Sequence, residues 1–168
     1  MLTQILRHPR APFLLLFLTC AGLLGFGLYL QYVKGQEPCP MCIMQRYAFV
    51  SVALIGLVAG LHGAVGAGRR VYGGLLLLAA LIGGGVAVRQ SWIQIYPPDV
   101  SECGPGLEYM LDSFPLADAL PMIFRGAGDC TDRAWTFLGL SIANWSLVSF
   151  TAVALFALWI LFSGRTRR

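Results

Sequence analysis

Two cysteines three positions apart, Cys39 and Cys42, have the clearest capacity for chemistry in this chain. They lie in the stretch PCPMCIMQR, where a polar connection passes into a long apolar run. Backbone N–H groups at a helix N-terminus are unpaired and the helix dipole favours negative charge, so such a position stabilises a thiolate. Pro40 suits a first helical turn because its missing N–H would have no partner there. The pattern predicts a redox-active dithiol at the start of a helix.

Arg46 follows Cys42 by four residues, which puts it one helical turn further along on the same face. An arginine inside an apolar segment is costly and is a functional candidate for that reason. We expect its charge to stabilise a thiolate or a reduced anionic ligand.

The elements that must position these residues follow from composition. Of the 168 residues, 57% are hydrophobic and only 12% are charged, which is too apolar for an ordinary soluble domain. Roughly 20 apolar residues cross a bilayer core. Four runs reach about that length: Pro12–Val33, Ile43–Leu61, Val71–Tyr96 and Ile142–Phe162. The sequence predicts an all-α membrane protein, a single domain whose four spans form an antiparallel up-down bundle, with no strands.

The first run has a second interpretation, a cleaved signal peptide, since basic residues precede it. The run is too long for that, and no small-x-small site closes it. The segment Leu18-Thr19-Cys20-Ala21 resembles a lipoprotein signal only loosely, because threonine is a poor residue before a modified cysteine. We expect a retained span in which Cys20 is a small buried packing residue.

Charges orient the spans. Basic residues cluster before the first span, between the second and third, and after the fourth, which makes these sites and both termini cytoplasmic by the positive-inside rule. All acidic residues fall in the other two connections, which agrees with an outward location. The net charge of +4 has no basic patch with interleaved aromatics, so nucleic acid is not an expected partner. The basic residues in these three clusters are Arg7, Arg10, Arg69, Arg70, Arg165, Arg167 and Arg168.

Four cysteines, Cys39, Cys42, Cys103 and Cys130, then lie on the outer side, where disulfides persist. An even number suggests two pairs. A purely structural bridge in the outer loop is an alternative, because closing a loop of that length contributes about 3–4 kcal/mol. Haem attachment is disfavoured, since Ile43 follows the second cysteine where histidine would be needed. A four-thiolate zinc site is disfavoured because Cys103 and Cys130 do not form a second close pair, and no metal is expected.

The outer loop covers about 97–139 and is too small to build its own core. Between 107 and 124 it alternates apolar and acidic residues, which predicts a short amphipathic helix lying on the membrane.

Polar residues at the outer ends of the last two spans are candidates for a ligand site. Gln90 and Gln94 share a helix face, so either can line a site opposite the dithiol, although interface solvation explains them equally well. Asn144 can bond a ligand carbonyl or serve at the helix start. The candidate cofactor-binding residues are Arg46, Cys42, Gln90 and Asn144.

Electrons pass between two dithiols on the same side by thiolate attack on a disulfide, and turnover then needs a terminal acceptor. The chain has no dinucleotide fingerprint of the G-x-G-x-x-G type. A quinone dissolved in the bilayer, either ubiquinone or menaquinone, fits this need because it takes two electrons.

The order of elements resembles the disulfide bond formation protein B (DsbB) family of bacterial inner-membrane quinone reductases. The likeness rests on four spans, the motif Cys39-Pro-Met-Cys42 with Arg46, and two cysteines in the second outer loop. The segments Gln94-Ile95-Tyr96-Pro97, Gly128-Asp129-Cys130 and Trp135-Thr136-Phe137-Leu138-Gly139-Leu140 are also similar. The likeness covers nearly the whole chain.

The resemblance implies a role for each cysteine. Cys103 would form a mixed disulfide with a periplasmic thioredoxin-like oxidase (DsbA-like), and Cys130 would resolve it. Electrons would pass to Cys39 and Cys42, with Cys42 nearest the quinone and Arg46 supporting the charged intermediate. Some family members carry histidine where Gln90 stands, so proton transfer at that position would fall to Arg89 or water.

Two other functions remain as alternatives. A four-span scaffold would carry the same cysteines as static bridges. A reductant exporter would need thiols reachable from the cytoplasmic half, and Cys20 alone cannot form a pair.

Overall fold

The computed structural model describes residues 10–36, 38–97, 109, 112–113, 115, 118 and 136–163. Within these ranges four helices are long and apolar enough to cross a membrane. They are α1 (Ala11–Tyr32), α2 (Pro40–His62), α3 (Gly66–Ile95) and α4 (Ile142–Ser163). The prediction of a four-helix membrane protein is confirmed.

Neighbouring helices run antiparallel, as close approaches at both ends of the bundle show. Near the end of α1, the carbonyl of Gly27 accepts a hydrogen bond from Arg46, near the start of α2. At the opposite end, Gly60 of α2 lies against the side chain of Leu14. Short connections between α1, α2 and α3 enforce this up-down order.

Aromatic contacts join α1, α2 and α4 in the main core of the bundle. Phe49 of α2 stacks on Phe150 of α4 with ring centroids 4.2 Å apart. Phe13 of α1 meets Phe156 of α4 edge to face at 6.2 Å. Many large apolar side chains point outward instead, as expected for surfaces that face lipid tails.

Two helices begin at least three residues earlier than the apolar runs suggested. Helix α2 starts at Pro40, because proline at the first helical position loses no hydrogen bond. Helix α3 starts at Gly66 and includes Arg69 and Arg70, whose long side chains can reach the interface while the backbone stays helical. The turn between them is set by Gly63, whose φ of 62° favours glycine.

A short β-hairpin precedes α4 and corrects the expectation that the chain has no strands. Strands β1 (Thr136–Phe137) and β2 (Leu140–Ser141) pair antiparallel around Leu138 and Gly139. Both turn residues have positive φ, 53° and 78°, which suits a tight two-residue hairpin turn. Strands of two residues are too short to produce a recognisable alternation.

Several predictions for the outer loop fall beyond the described part of the chain. Cys103 and Cys130 lie outside it, and so does most of the predicted amphipathic helix over 107–124.

Candidate functional site

Helix α2 begins at the dithiol formed by Cys39 and Cys42. Cys39 is the N-cap residue with an extended backbone, and Pro40 follows it as the first helical residue. The Sγ atom of Cys39 accepts a hydrogen bond from the backbone N–H of Cys42 at 3.4 Å. A sulfur therefore satisfies one of the unpaired N–H groups at the helix start, a position usually taken by an oxygen.

The two sulfur atoms of the dithiol are in contact. Their separation is 3.0 Å, and both residues are free thiols. A disulfide bond is about 2.05 Å long, so only a small movement separates the thiols from the oxidised form. Cys39 is buried and Cys42 is partly exposed, which leaves Cys42 the more accessible of the two.

Gln90 of α3 covers the dithiol from the core side. Its Nε2 atom donates to the sulfur of Cys39 at 3.4 Å and to that of Cys42 at 3.2 Å. Its Oε1 atom accepts a hydrogen bond of 2.6 Å from Nε2 of Gln45 on α2. Only 2% of Gln90 and 3% of Gln45 is exposed, so this amide chain is sealed inside the protein.

Gln45 is a site residue that the sequence analysis missed. It follows Cys42 by three residues and falls in an apolar span, where a polar side chain must find a partner inside the protein. A polar residue in this span predicts a buried partner. It does not identify that partner as Gln90, which lies 45 residues away.

Arg46 points away from the dithiol's core side and toward α1. Its Nη1 atom donates to Oε1 of Gln31 at 2.5 Å, and its Nη2 atom donates to the carbonyl of Gly27 at 3.1 Å. A Cβ atom at Gly27 would lie 3.7 Å from the guanidinium, in ordinary contact. Gln31 is the second polar neighbour that the sequence analysis missed.

A cavity of about 330 Å³ opens between α1 and α2, and Arg46 lies in its wall. We call it the α1/α2 cavity. Its other lining residues are uncharged, and one of them, Ile43, directly follows Cys42. The size falls at the lower end of the range for small-molecule sites. The lining consists of Leu24, Leu28, Ile43, Arg46, Tyr47 and Val50.

The remaining cofactor-binding candidates lie apart from this cavity. Gln90 contacts the sulfurs and is not among the lining residues. Asn144 lies in the first turn of α4, where its backbone N–H donates to Oγ of Ser141 at 3.4 Å. The same Oγ donates to Oε1 of Gln94 at 2.7 Å, which ties the start of α4 to α3. The structure thus brings Cys39, Cys42 and Gln90 together and puts Asn144 in a separate polar cluster.

Four apolar helices with a dithiol at the start of α2 define a multi-pass membrane protein equipped for thiol chemistry. The family model described as disulfide bond formation protein DsbB matches residues 9–160, and the chain belongs to this family. The resemblance inferred from the cysteine motif and the spans is therefore confirmed.

Relatives named disulfide bond formation protein B match almost end to end. The protein of Azoarcus sp. (strain BH72) is 70% identical over 96% of this chain and 97% of its own length. That of Aromatoleum aromaticum is 68% identical over 90% of this chain and 92% of its own. That of a Polaromonas species is 51% identical over 95% of both.

Proposed function

We propose that this chain is a protein-dithiol:quinone oxidoreductase, which reoxidises a periplasmic DsbA-like oxidase and passes the electrons to membrane quinone. The observation that carries the proposal is the dithiol, whose sulfurs lie 3.0 Å apart, one helical turn from an arginine in the wall of an apolar cavity. Family membership supports the broader statement that the chain is a membrane oxidoreductase that forms disulfide bonds.

The proposed reaction moves two electrons through two exchanges. The reduced partner attacks a Cys103–Cys130 disulfide, leaves with its own disulfide, and converts that pair to thiols. These thiols then reduce a Cys39–Cys42 disulfide in the same way, with each exchange forming one S–S bond and breaking another. Reoxidation of Cys39 and Cys42 releases two electrons and two protons and restores their bond. The parts of Cys103 and Cys130 rest on the family resemblance, since both lie outside the described residues.

The α1/α2 cavity fits a quinone head group in chemistry and size. Its aliphatic side chains suit a ring that arrives from the lipid, and Tyr47 adds an aromatic face. Arg46 has N–H groups beyond those bonded to Gln31 and Gly27, and these can donate to a carbonyl oxygen. When bound, the quinone supplies an acceptor of two electrons and two protons. Both ubiquinone and menaquinone carry the carbonyl groups that Arg46 would hold.

The proposed location is the bacterial inner membrane, with both termini in the cytoplasm and the dithiol at the periplasmic face. Arg69 and Arg70 support this orientation, because they lie near the start of α3, at the end of the bundle opposite Cys39. Basic residues favour the cytoplasmic side of a membrane.

The test uses purified protein with ubiquinone and a reduced DsbA-like protein, following quinone absorbance and partner disulfide in parallel. Cys103→Ala should abolish oxidation of the protein partner, while a small dithiol still reduces quinone slowly through Cys39 and Cys42. Cys42→Ala should abolish both activities. Cys20→Ala is the matched control, because Cys20 is buried in the core of the bundle, and it should retain both.

Equal loss of both activities in Cys103→Ala would contradict a relay of two pairs. No quinone reduction by the unaltered protein, together with no mixed disulfide at Cys103, would instead favour a scaffold stapled by static bridges.

A further inference from the structure

We infer that Gln45 is a positioning residue that tunes the redox equilibrium of Cys39 and Cys42 by holding the amide of Gln90 with its NH₂ group toward both sulfurs. The inference rests on the proposed function, since it concerns the sulfur couple through which electrons would pass. It assigns Gln90 to the dithiol and not to the quinone.

The geometry supplies a chain of donors in one direction. Nε2 of Gln45 donates to Oε1 of Gln90 at 2.6 Å, and Nε2 of Gln90 donates to the sulfurs of Cys42 and Cys39 at 3.2 and 3.4 Å. An amide has a donor end and an acceptor end, so fixing one end fixes the other. With Oε1 of Gln90 occupied by Gln45, its NH₂ group must face the dithiol.

Reversal of this arrangement requires both glutamines to change together. If Gln90 alone turned over, its NH₂ group would face the NH₂ group of Gln45, and its oxygen would face the sulfurs. Two donors would then confront each other at buried positions, which is unfavourable because no water can take up the lost bond. Gln45 therefore disfavours the turnover of Gln90 alone, which would put an oxygen lone pair toward a thiolate.

The effect on the couple has a definite sign. Reduction breaks the Cys39–Cys42 bond and puts electron density on sulfur, and an N–H donor stabilises a thiolate more than a disulfide sulfur. The Gln90 amide thus favours the reduced form and makes the disulfide a stronger oxidant. Removing the donor should shift the equilibrium toward the disulfide.

The experiment measures this equilibrium in the full-length protein with glutathione redox buffers. Alkylation followed by peptide mass spectrometry reads Cys39 and Cys42 separately from the other cysteines, so neither quinone nor protein partner is needed. Methionine replaces each glutamine because it has a similar length and no N–H donor. Gln90→Met should lower the equilibrium constant for reduction about tenfold, which is ~30 mV for a two-electron couple.

Gln45→Met should produce a smaller shift of about threefold, because Gln90 keeps its amide but loses its fixed orientation. The double variant should match Gln90→Met alone, since a residue that acts through another adds nothing once that residue is gone. Gln94→Met is the matched control: it removes an amide from the same helix that bonds to Ser141, and it should leave the couple unchanged.

Additive shifts in the double variant, or no shift in Gln45→Met, would overturn the positioning role. No shift in Gln90→Met would overturn the inference entirely. Thermal unfolding of each variant checks that the bundle remains intact. If Gln45→Met does not fold, Gln45→Ala is used in its place. If the unaltered dithiol fails to exchange with glutathione, the proposed function itself is wrong, so the two failures are distinguishable.

Discussion

At the scale of single residues, Arg46 illustrates how a charge is held beside an apolar cavity. Two acceptors of α1, Oε1 of Gln31 and the carbonyl of Gly27, bond to the two terminal nitrogens of its guanidinium. The planar group has five N–H donors in a rigid fork, so fixing two of them orients the rest. Gln31 should therefore matter to any ligand that Arg46 binds.

Replacing Gln31 by methionine should raise the KM for quinone several-fold, with a smaller effect on kcat, because the guanidinium loses one anchor. Arg46→His should raise the same KM further, since it removes most of the donors. Steady-state quinone reduction at fixed protein partner measures both constants.

Thr19→Val is the control for the Gln31 variant, because the Thr19 hydroxyl donates to the carbonyl of Leu15 within its own helix. An unchanged KM in Gln31→Met would separate Gln31 from the quinone site.

At the scale of helices, small residues set the distances between α2, α3 and α4. A Cβ atom added to Gly83 would lie 2.4 Å from Cζ of Phe150 and 2.8 Å from Cβ of Ala48. Phe150 cannot easily withdraw, because its ring is stacked on Phe49. Helices α2, α3 and α4 therefore pack so closely at Gly83 that no side chain larger than a hydrogen atom fits there.

Gly83→Ala should destabilise the protein by about 1–3 kcal/mol, because the added methyl group overpacks the core by more than the gain in helix propensity offsets. Gly85→Ala tests the same substitution in the same helix at a position with nothing within 4 Å. Thermal unfolding in detergent should show a lower midpoint for Gly83→Ala only. Equal midpoints would contradict the close packing at Gly83.

The four helices and the position of the dithiol could be predicted from the sequence, whereas the contacts between helices could not. Apolar runs identify the four helices because a bilayer sets the length of a span, and the dithiol's place at the start of α2 follows from Pro40. The contacts of Gln90 with the sulfurs and with Gln45 could not be read from spacing, because they depend on how α2 and α3 are rotated against each other. The hairpin was not predicted because Leu138 has a positive φ, a backbone conformation that leucine rarely adopts.

At the scale of the whole molecule, the dithiol and the arginine pair Arg69 and Arg70 lie at opposite ends of the bundle. The dithiol, Gln31 and Ser141 lie at one end of the bundle, and Gly63 with Arg69 lies at the other. A membrane between these ends would put the dithiol and the pair Arg69 and Arg70 on opposite sides. Orientation is therefore open to a direct measurement.

Two exposed positions report the orientation: Val65 in the α2–α3 turn, 69% exposed, and Leu138 in the hairpin, 78% exposed. In a protein whose five native cysteines are replaced by alanine, a membrane-impermeant maleimide added to intact bacteria with a permeabilised outer membrane should label Leu138→Cys and spare Val65→Cys. Lysed cells should label both, which serves as the positive control. The opposite result in intact cells would reverse the proposed topology.

The sulfur of Cys39 is part of the dithiol and also accepts a hydrogen bond from the backbone N–H of Cys42 at the start of α2. In the proposed reaction, each cycle would change the charge and bonding of that atom, and with them the strength of the hydrogen bond that caps the helix's first turn. Local fraying at the start of α2 should then depend on the supply of reducing equivalents. The backbone of the first turn would therefore respond directly to the oxidation state of the protein.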